Sequence, residues 1–155
     1  MTGPNPTDRA KSGTKRSVLD DERGVPLAIL VGAANNHDQT LAGETLVSIV
    51  VARPEPTPES PQNLCLDNGY ASPVVRAEAE ALNYVAHIRS RGEEKADLSA
   101  KPGAKARRWV VERTHSWLDR FRKVLVRFEK KACNYLGLLQ FACAIICWRA
   151  TGILG

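Results

Sequence analysis

The sequence predicts a mixed α/β fold, a sheet of short strands with helices packed on it and two helices closing the chain. Three observations point there. Short apolar, β-rich runs alternate with helix-forming stretches from Ser17 to Ile88. One such run, Asn63 to Leu66, ends at Asp67 and an Asn68-Gly69 turn, the way strands end where open α/β sheets present ligands. Two long segments, about Ala106–Lys130 and Asn134–Ala150, then read as helices.

Taken in order, residues 1–16 are polar, rich in Gly, Pro and Thr, and read as a loop. Ser17–Leu19 and Val25–Val31 are strand-like runs joined by Asp20-Asp21-Glu22-Arg23-Gly24, which predicts a hairpin. A helix follows from Asp38, a capping residue, to about Val51. Residues 53–62 hold Pro54, Pro56, Pro58 and Pro61, so they form an extended connector rather than a helix or a central strand. Ser72 and Pro73 supply an N-cap and a first helical position. Leu82–Ile88 is a further strand, and Arg89–Ala104 a polar loop. The order is β-β-α-β-α-β-α-α, without internal repeat, in one domain spanning 1–155.

At 155 residues, with 43% hydrophobic and 25% charged residues, the chain can bury one core. The start lacks an apolar segment of the secretory kind, which makes a cytoplasmic setting the expectation. The longest apolar stretch, Tyr135–Trp148, contains Gln140 and falls short of the ~20 residues of a spanning helix, so a core helix is expected and no membrane partner. Of the four cysteines none form a CxxC pair, and Cys143 and Cys147 lie among Ala, Ile and Trp as buried hydrophobes. Ser12-Gly13-Thr14-Lys15 lacks the order of a phosphate loop, and neither GxSxG nor HExxH occurs.

Charge is distributed unevenly. Lys101 to Lys131 holds eleven Lys/Arg against three Asp/Glu, a net +8 in a chain whose total is +5. A cationic helix rich in Arg, with Trp109, His115 and Trp117 interleaved, has the composition of a polyanion-binding surface. Its candidate DNA contacts are Arg108, Arg113, His115, Arg120, Arg122 and Lys123. On a helix Glu112 shares a face with Lys105, Arg108, Ser116, Asp119 and Lys123. Val110, Trp117, Leu118, Phe121, Leu125 and Phe128 form the apolar stripe opposite.

Two carboxylates stand out. Asp67, at a strand end, can reach a metal ion, or can accept backbone hydrogen bonds as turn aspartates do. Glu112 is either a metal ligand beside a phosphate backbone or a solvated partner of Arg108 or Arg113. His37-Asp38 can act in catalysis or cap the helix that it opens, capping being the preferred reading. His87, in a strand, reads as structural.

Six blocks in order resemble the DDE transposases of bacterial insertion sequences, in the branch with an RNase H-like catalytic domain. They are Gly3-Pro4-Asn5-Pro6-Thr7-Asp8-Arg9, Gly13-Thr14-Lys15-Arg16, Arg23-Gly24-Val25-Pro26-Leu27-Ala28, Gly32-Ala33-Ala34-Asn35-Asn36-His37-Asp38, Leu66-Asp67-Asn68-Gly69-Tyr70, and Arg108-Trp109-Val110-Val111-Glu112-Arg113-Thr114 with Trp117-Leu118, Arg120-Phe121-Arg122 and Phe128-Glu129. The resemblance implies an RNase H-like mixed sheet flanked by helices, without its first strand, and with two C-terminal helices. It makes Asp67 the second and Glu112 the third of three carboxylates holding two divalent ions, Mg²⁺ or Mn²⁺, ~3.5–4 Å apart. Lys105 and Asp119 stand where many relatives in the wider group have Tyr and Lys. The first catalytic Asp is expected upstream of Gly3, outside this chain; Asp20 and Asp21 belong to the hairpin.

The resemblance therefore implies a transposase acting on insertion-sequence ends and target DNA, here the C-terminal portion, catalytically incomplete by itself, nucleoid-associated, and completed by an upstream half or a homo-oligomer. The competing expectation is a non-enzymatic DNA-binding protein, or an inhibitor that associates with full-length transposase.

Overall fold

The computed structural model describes residues 2–9, 11–88 and 108–152. Its centre is the expected hairpin. Strands β2 (Ser12–Asp20) and β3 (Pro26–Ala33) pair antiparallel, Ser17 opposite Leu30, with a register shift between Leu19 and Asp20. Asp21 owns the turn: its Oδ1 accepts the N–H groups of Arg23 and Val25, each at 2.8 Å. Gly24 sits at φ 76°, where an added Cβ would also lie 3.0 Å from the Arg113 guanidinium and 3.1 Å from Thr114 Oγ1. Backbone conformation and crowding both select glycine there.

The loop expected over residues 1–16 is corrected by the structure. The hairpin strand begins at Ser12, and β1 (Gly3–Pro4) pairs with Ser12 and Gly13. Lys15 and Arg16 hide the strand from a hydropathy reading because each has polar partners. Lys15 Nζ lies 3.0 Å from Asp38 Oδ1 and donates to the Asn36 carbonyl at 2.7 Å. Arg16 donates to Tyr135, Asp119 and the Val124 carbonyl.

Strand β4 (Gln62–Leu66) pairs in parallel with β5 (Tyr84–Ile88), and α2 (Pro73–Ala81) makes the crossover between them. Ser72 Oγ accepts the Val74 N–H at 3.2 Å, so the expected cap is formed. Residues 52–57 of the proline connector carry no regular structure. Arg53 ties the connector down through Gln62 Oε1 at 2.7 Å and Tyr84 Oη at 2.5 Å. His87 bonds Asn63 across the pair at 2.8 Å, the structural role expected of it.

Alternation along β2 places helices on both faces of the hairpin. Leu19 packs into a core of Leu46, Leu64, Ala79 and Tyr84, while Ser17 hydrogen-bonds Thr45 on α1 (Ala42–Val47) at 2.8 Å. Val18 faces a second core of Ile29, Leu118, Val124, Tyr135, Leu139, Ala142, Cys143 and Ile146. Antiparallel and parallel sheets flanked by helices are consistent with the RNase H-like arrangement.

A single helix over about Ala106–Lys130 does not form. Among the described residues α3 runs Arg108–Asp119, and α4, Arg122–Leu125, follows a break at Arg120-Phe121. Phe121 is extended (φ −85°, ψ 101°), and the chain leaves α4 extended again at Val126 (φ −113°, ψ 118°). The break carries Val124, 2% exposed, into the core beside Leu118 at 0%. It thereby removes Leu125 and Phe128 from the expected apolar stripe: they are 54% and 72% exposed. Helix α5 (Ala132–Ala150) is long and apolar enough by composition to cross a membrane, yet Tyr135, Leu139, Ala142, Cys143 and Ile146 on one face lie in the core. Cys143 is buried, which pushes its thiol up to about 12, as suits a packed hydrophobe. The polar loop Arg89–Ala104 and Lys105 lie outside the described residues.

Candidate active site and nucleic-acid interface

Asp67 follows β4 directly and is exposed. Its Oδ1 accepts the Gly69 N–H at 2.8 Å, capping the single 3₁₀ turn Asn68–Tyr70. The turn role and the ligand role do not compete, because an ionised carboxylate keeps acceptor capacity on both oxygens. The turn is braced from a second segment: Gln39 Nε2 donates to the Gly69 carbonyl at 3.0 Å. A point one Cβ length off Gly69 lies 2.9 Å from Asp67 Oδ1 and 3.9 Å from Asp38 Oδ2, so two carboxylates converge there. Burial, followed by the charges of Asp38 and Asp67, pushes the Tyr70 phenol up to about 12.

Asp38 was expected to cap its helix and does not. His37 occupies the N-cap of the 3₁₀ turn Asp38–Leu41 without a side-chain cap bond, and Asp38 pairs with Lys15 instead. The cation across the hairpin outcompetes the local backbone for the carboxylate. Capping was the preferred sequence reading of Asp38, and Gln39 was not singled out, because the partners of both, Lys15 and the Gly69 carbonyl, are distant in sequence.

Glu112 is exposed on α3 and makes no ion pair among the described residues. Arg113 is turned inward: its guanidinium donates to the Arg23 carbonyl and stacks over Trp117 at 4.9 Å. Arg120, Arg122 and Lys123 are exposed. His115 is half-buried, and burial followed by the Arg16 charge lowers its pKa. The imidazole is thus neutral near pH 7 and can offer a hydrogen bond rather than a charge. Arg108 begins α3, and its side chain lies outside the description. A groove of about 560 Å³ is lined by Trp117, Arg120, Phe121, Ile146, Arg149 and Ala150.

Among the described residues no group of three or more His, Cys, Asp or Glu side chains could hold a metal ion. The donors fit a divalent ion only in the open manner of magnesium sites, where one or two carboxylates are joined by water and phosphate oxygens.

Asp20, at the end of β2, is a buried carboxylate with neither oxygen hydrogen-bonded among the described residues. Burial pushes it up to about 6, with the Asp21 charge adding to the shift and the Arg113 charge opposing it. The folded protein therefore holds a proton that the unfolded chain, at 3.8, has released. That stability is fully present below the unfolded value and lost as pH rises through about 6. Asp20→Asn is expected to flatten this decline and to gain about 1–3 kcal/mol near pH 8, read by urea unfolding at acid and alkaline pH. A variant with the wild-type slope would show that Asp20 is solvated.

The family described as "Transposase DDE domain" matches residues 2–147. A "Putative transposase for insertion sequence element IS402" from Burkholderia cepacia is 36% identical over 158 residues, covering 95% of this chain and 68% of that protein. No solved structure matches.

Proposed function

Because the chain belongs to the DDE transposase family, whose members act on DNA and generally use divalent metal ions, we propose that its site cleaves and joins DNA strands with Asp67 and Glu112 as metal carboxylates. The observation that carries this reading is Asp67 itself. It is exposed at a strand end, its turn is braced by Gln39, and Asp38 converges on the same point. The ions are Mg²⁺ or Mn²⁺, two in the full site, with a third carboxylate supplied from outside the described residues. A bound divalent ion there supplies Lewis-acid stabilisation of the phosphoryl oxygens.

The chain's own residues do the rest. Arg108, Arg120, Arg122 and Lys123 hold the phosphate backbone, Arg giving two-pronged contacts that Lys cannot. Arg113 acts from beneath, fixing α3 to the hairpin turn through the Arg23 carbonyl. His115 adds a neutral donor beside Arg16. Lys15 keeps Asp38 paired, so that Asp67 faces less like charge across the gap. The complex works on insertion-sequence ends and target DNA, in the nucleoid, as a homo-oligomer or with a second transposase polypeptide.

A binding-only role, as a DNA-associated inhibitor of a complete transposase, is favoured by one observation: the described residues gather no three-ligand group. Salt dependence tests the shared DNA surface. Binding of the chain to duplex DNA should weaken steeply with salt, and charge reversal at Arg120, Arg122 and Lys123 should reduce the log–log slope by about one per lost contact. An unchanged slope in the triple variant would move the surface elsewhere.

A further inference from the structure

Phe128 has no place in the folding account. It is 72% exposed, in a segment that also exposes Leu125 at 54% and Val126 at 51%. The segment is nevertheless held in place, because the Arg127 guanidinium spans it from beneath. Arg127 donates from Nε to the Glu129 carbonyl at 2.9 Å, from Nη2 to the Lys130 carbonyl at 3.1 Å, and from Nη1 to Thr14 Oγ1. Its plane lies over the ring of Tyr135, 5.3 Å from the centroid, and Tyr135 is 2% exposed in the core. A partly buried anchor thus fixes the backbone on both sides of an exposed aromatic ring.

The surroundings supply the chemistry. Arg122, Lys123, Lys130 and Lys131 are exposed within two to six residues of Phe128, against a single acidic residue, Glu129. An apolar ring on a fixed loop among cations suits a polyanion that also presents flat apolar faces. Nucleic acid has both: phosphates for the cations and an unpaired or unstacked base for the ring. A partner helix would match the apolar residues but leave the cations without counter-charge.

We propose that Phe128 stacks on a base of the bound DNA, at an unpaired or frayed position, while the cations of residues 122–131 hold the flanking phosphates. The proposal rests on the DNA-binding reading and adds to it a stacking residue outside the carboxylate site. Because the ring is solvent-exposed and the Arg127 anchor is untouched, Phe128→Ala removes the stacking face without disturbing the core.

The test uses the purified full chain and two probes of one sequence, a blunt duplex and the same duplex with a single-stranded overhang carrying 2-aminopurine. Wild type should prefer the overhang probe and change its fluorescence on binding. Phe128→Ala should weaken overhang binding on the order of tenfold, abolish the fluorescence change, and leave blunt-duplex affinity and its salt slope unaltered. Phe128→Tyr should restore both. If wild type binds and Phe128→Ala loses nothing, or loses both probes equally, the stacking assignment is overturned while the DNA reading stands. If wild type binds neither probe, both are overturned. If Phe128→Ala instead dissociates an oligomer in analytical ultracentrifugation, or loses binding to anionic phospholipid vesicles, with its overhang preference intact, the exposed ring serves a second copy or a lipid surface and the proposal falls.

Discussion

Asp67→Asn is expected to abolish metal-dependent strand cleavage while sparing DNA binding. The setting is a chimera of this chain with the part of the Burkholderia cepacia relative outside the match, which covers 68% of that protein. The substitution keeps the shape of the side chain and the acceptor for the Gly69 N–H, bonded at 2.8 Å, so the turn survives. What it removes is the negative charge that a divalent ion requires. A loss on the order of a thousandfold or more follows when one preorganised electrostatic group is deleted from a phosphoryl-transfer site. Glu112→Gln should behave alike. Neither side chain donates to a phosphate, so affinity for duplex DNA should stay within about twofold. Asp21→Asn is the control. Asp21 serves the hairpin turn through the Arg23 and Val25 N–H groups, and asparagine retains one acceptor oxygen for them. Its cost should be about 1 kcal/mol of stability or less, with cleavage retained. Mn²⁺ binding by the unmodified chain, followed by isothermal titration, gives a second readout that Asp67→Asn should weaken and Asp21→Asn should not. Cleavage lost equally in Asp21→Asn would move the first carboxylate into the hairpin.

Where local chemistry dictates geometry, the sequence was readable. The Asp-Asp-Glu-Arg-Gly turn, the Ser72-Pro73 cap, the proline connector and the strand ending at Asp67 all formed within a few residues of their expected bounds. What was not legible depends on partners far along the chain. Lys15 and Arg16 gave residues 12–16 the look of a loop, and the pairing with β1 and β3, the ion pair with Asp38 and the contacts with α3–α5 explain a strand there. The stripe through Leu125 and Phe128 failed for the complementary reason. Helical arithmetic assumes an unbroken helix, and the extended Phe121 turns Val124 into the core in their place. In the candidate site, Asp67 drew attention by its place at a strand end, whereas the role proposed for Glu112 came with the family resemblance, since helical spacing alone left it a solvated glutamate. Asp38 was misread as a cap because its partner lies on the preceding hairpin, twenty-three positions away.

Arg16→Ala is expected to cost about 3–5 kcal/mol, because this guanidinium joins the hairpin to all three closing helices from a nearly buried position. Its side chain is 15% exposed. Nε donates to Tyr135 Oη on α5 at 3.0 Å, Nη1 to Asp119 Oδ1 on α3 at 2.8 Å, and Nη2 to the carbonyl of Val124 on α4 at 2.7 Å. Burial lowers its pKa, but the hydrogen bonds and charges of Asp119 and Tyr135 outweigh this, so the net shift is upward. The partners are unequal. Asp119 is 45% exposed and can turn to water, and Val124's carbonyl keeps the Tyr135 hydroxyl at 3.0 Å. A double-mutant cycle between Arg16 and Asp119 should therefore return only about 1 kcal/mol of coupling, with most of the loss coming from the buried side of the fork. Arg16→Lys should rescue little, since one ammonium cannot reach three acceptors in a plane. Hydrogen exchange gives the local signature: amides of α3 and α5 should lose protection while those of β4 and β5 keep theirs, because the parallel pair packs in the other core. As α3 carries Glu112, the same variant should weaken metal binding without touching either carboxylate. Equal loss of protection in both cores would make Arg16 a general packing residue, and a cost below about 0.5 kcal/mol would show that the three helices are held to the hairpin by apolar contact alone.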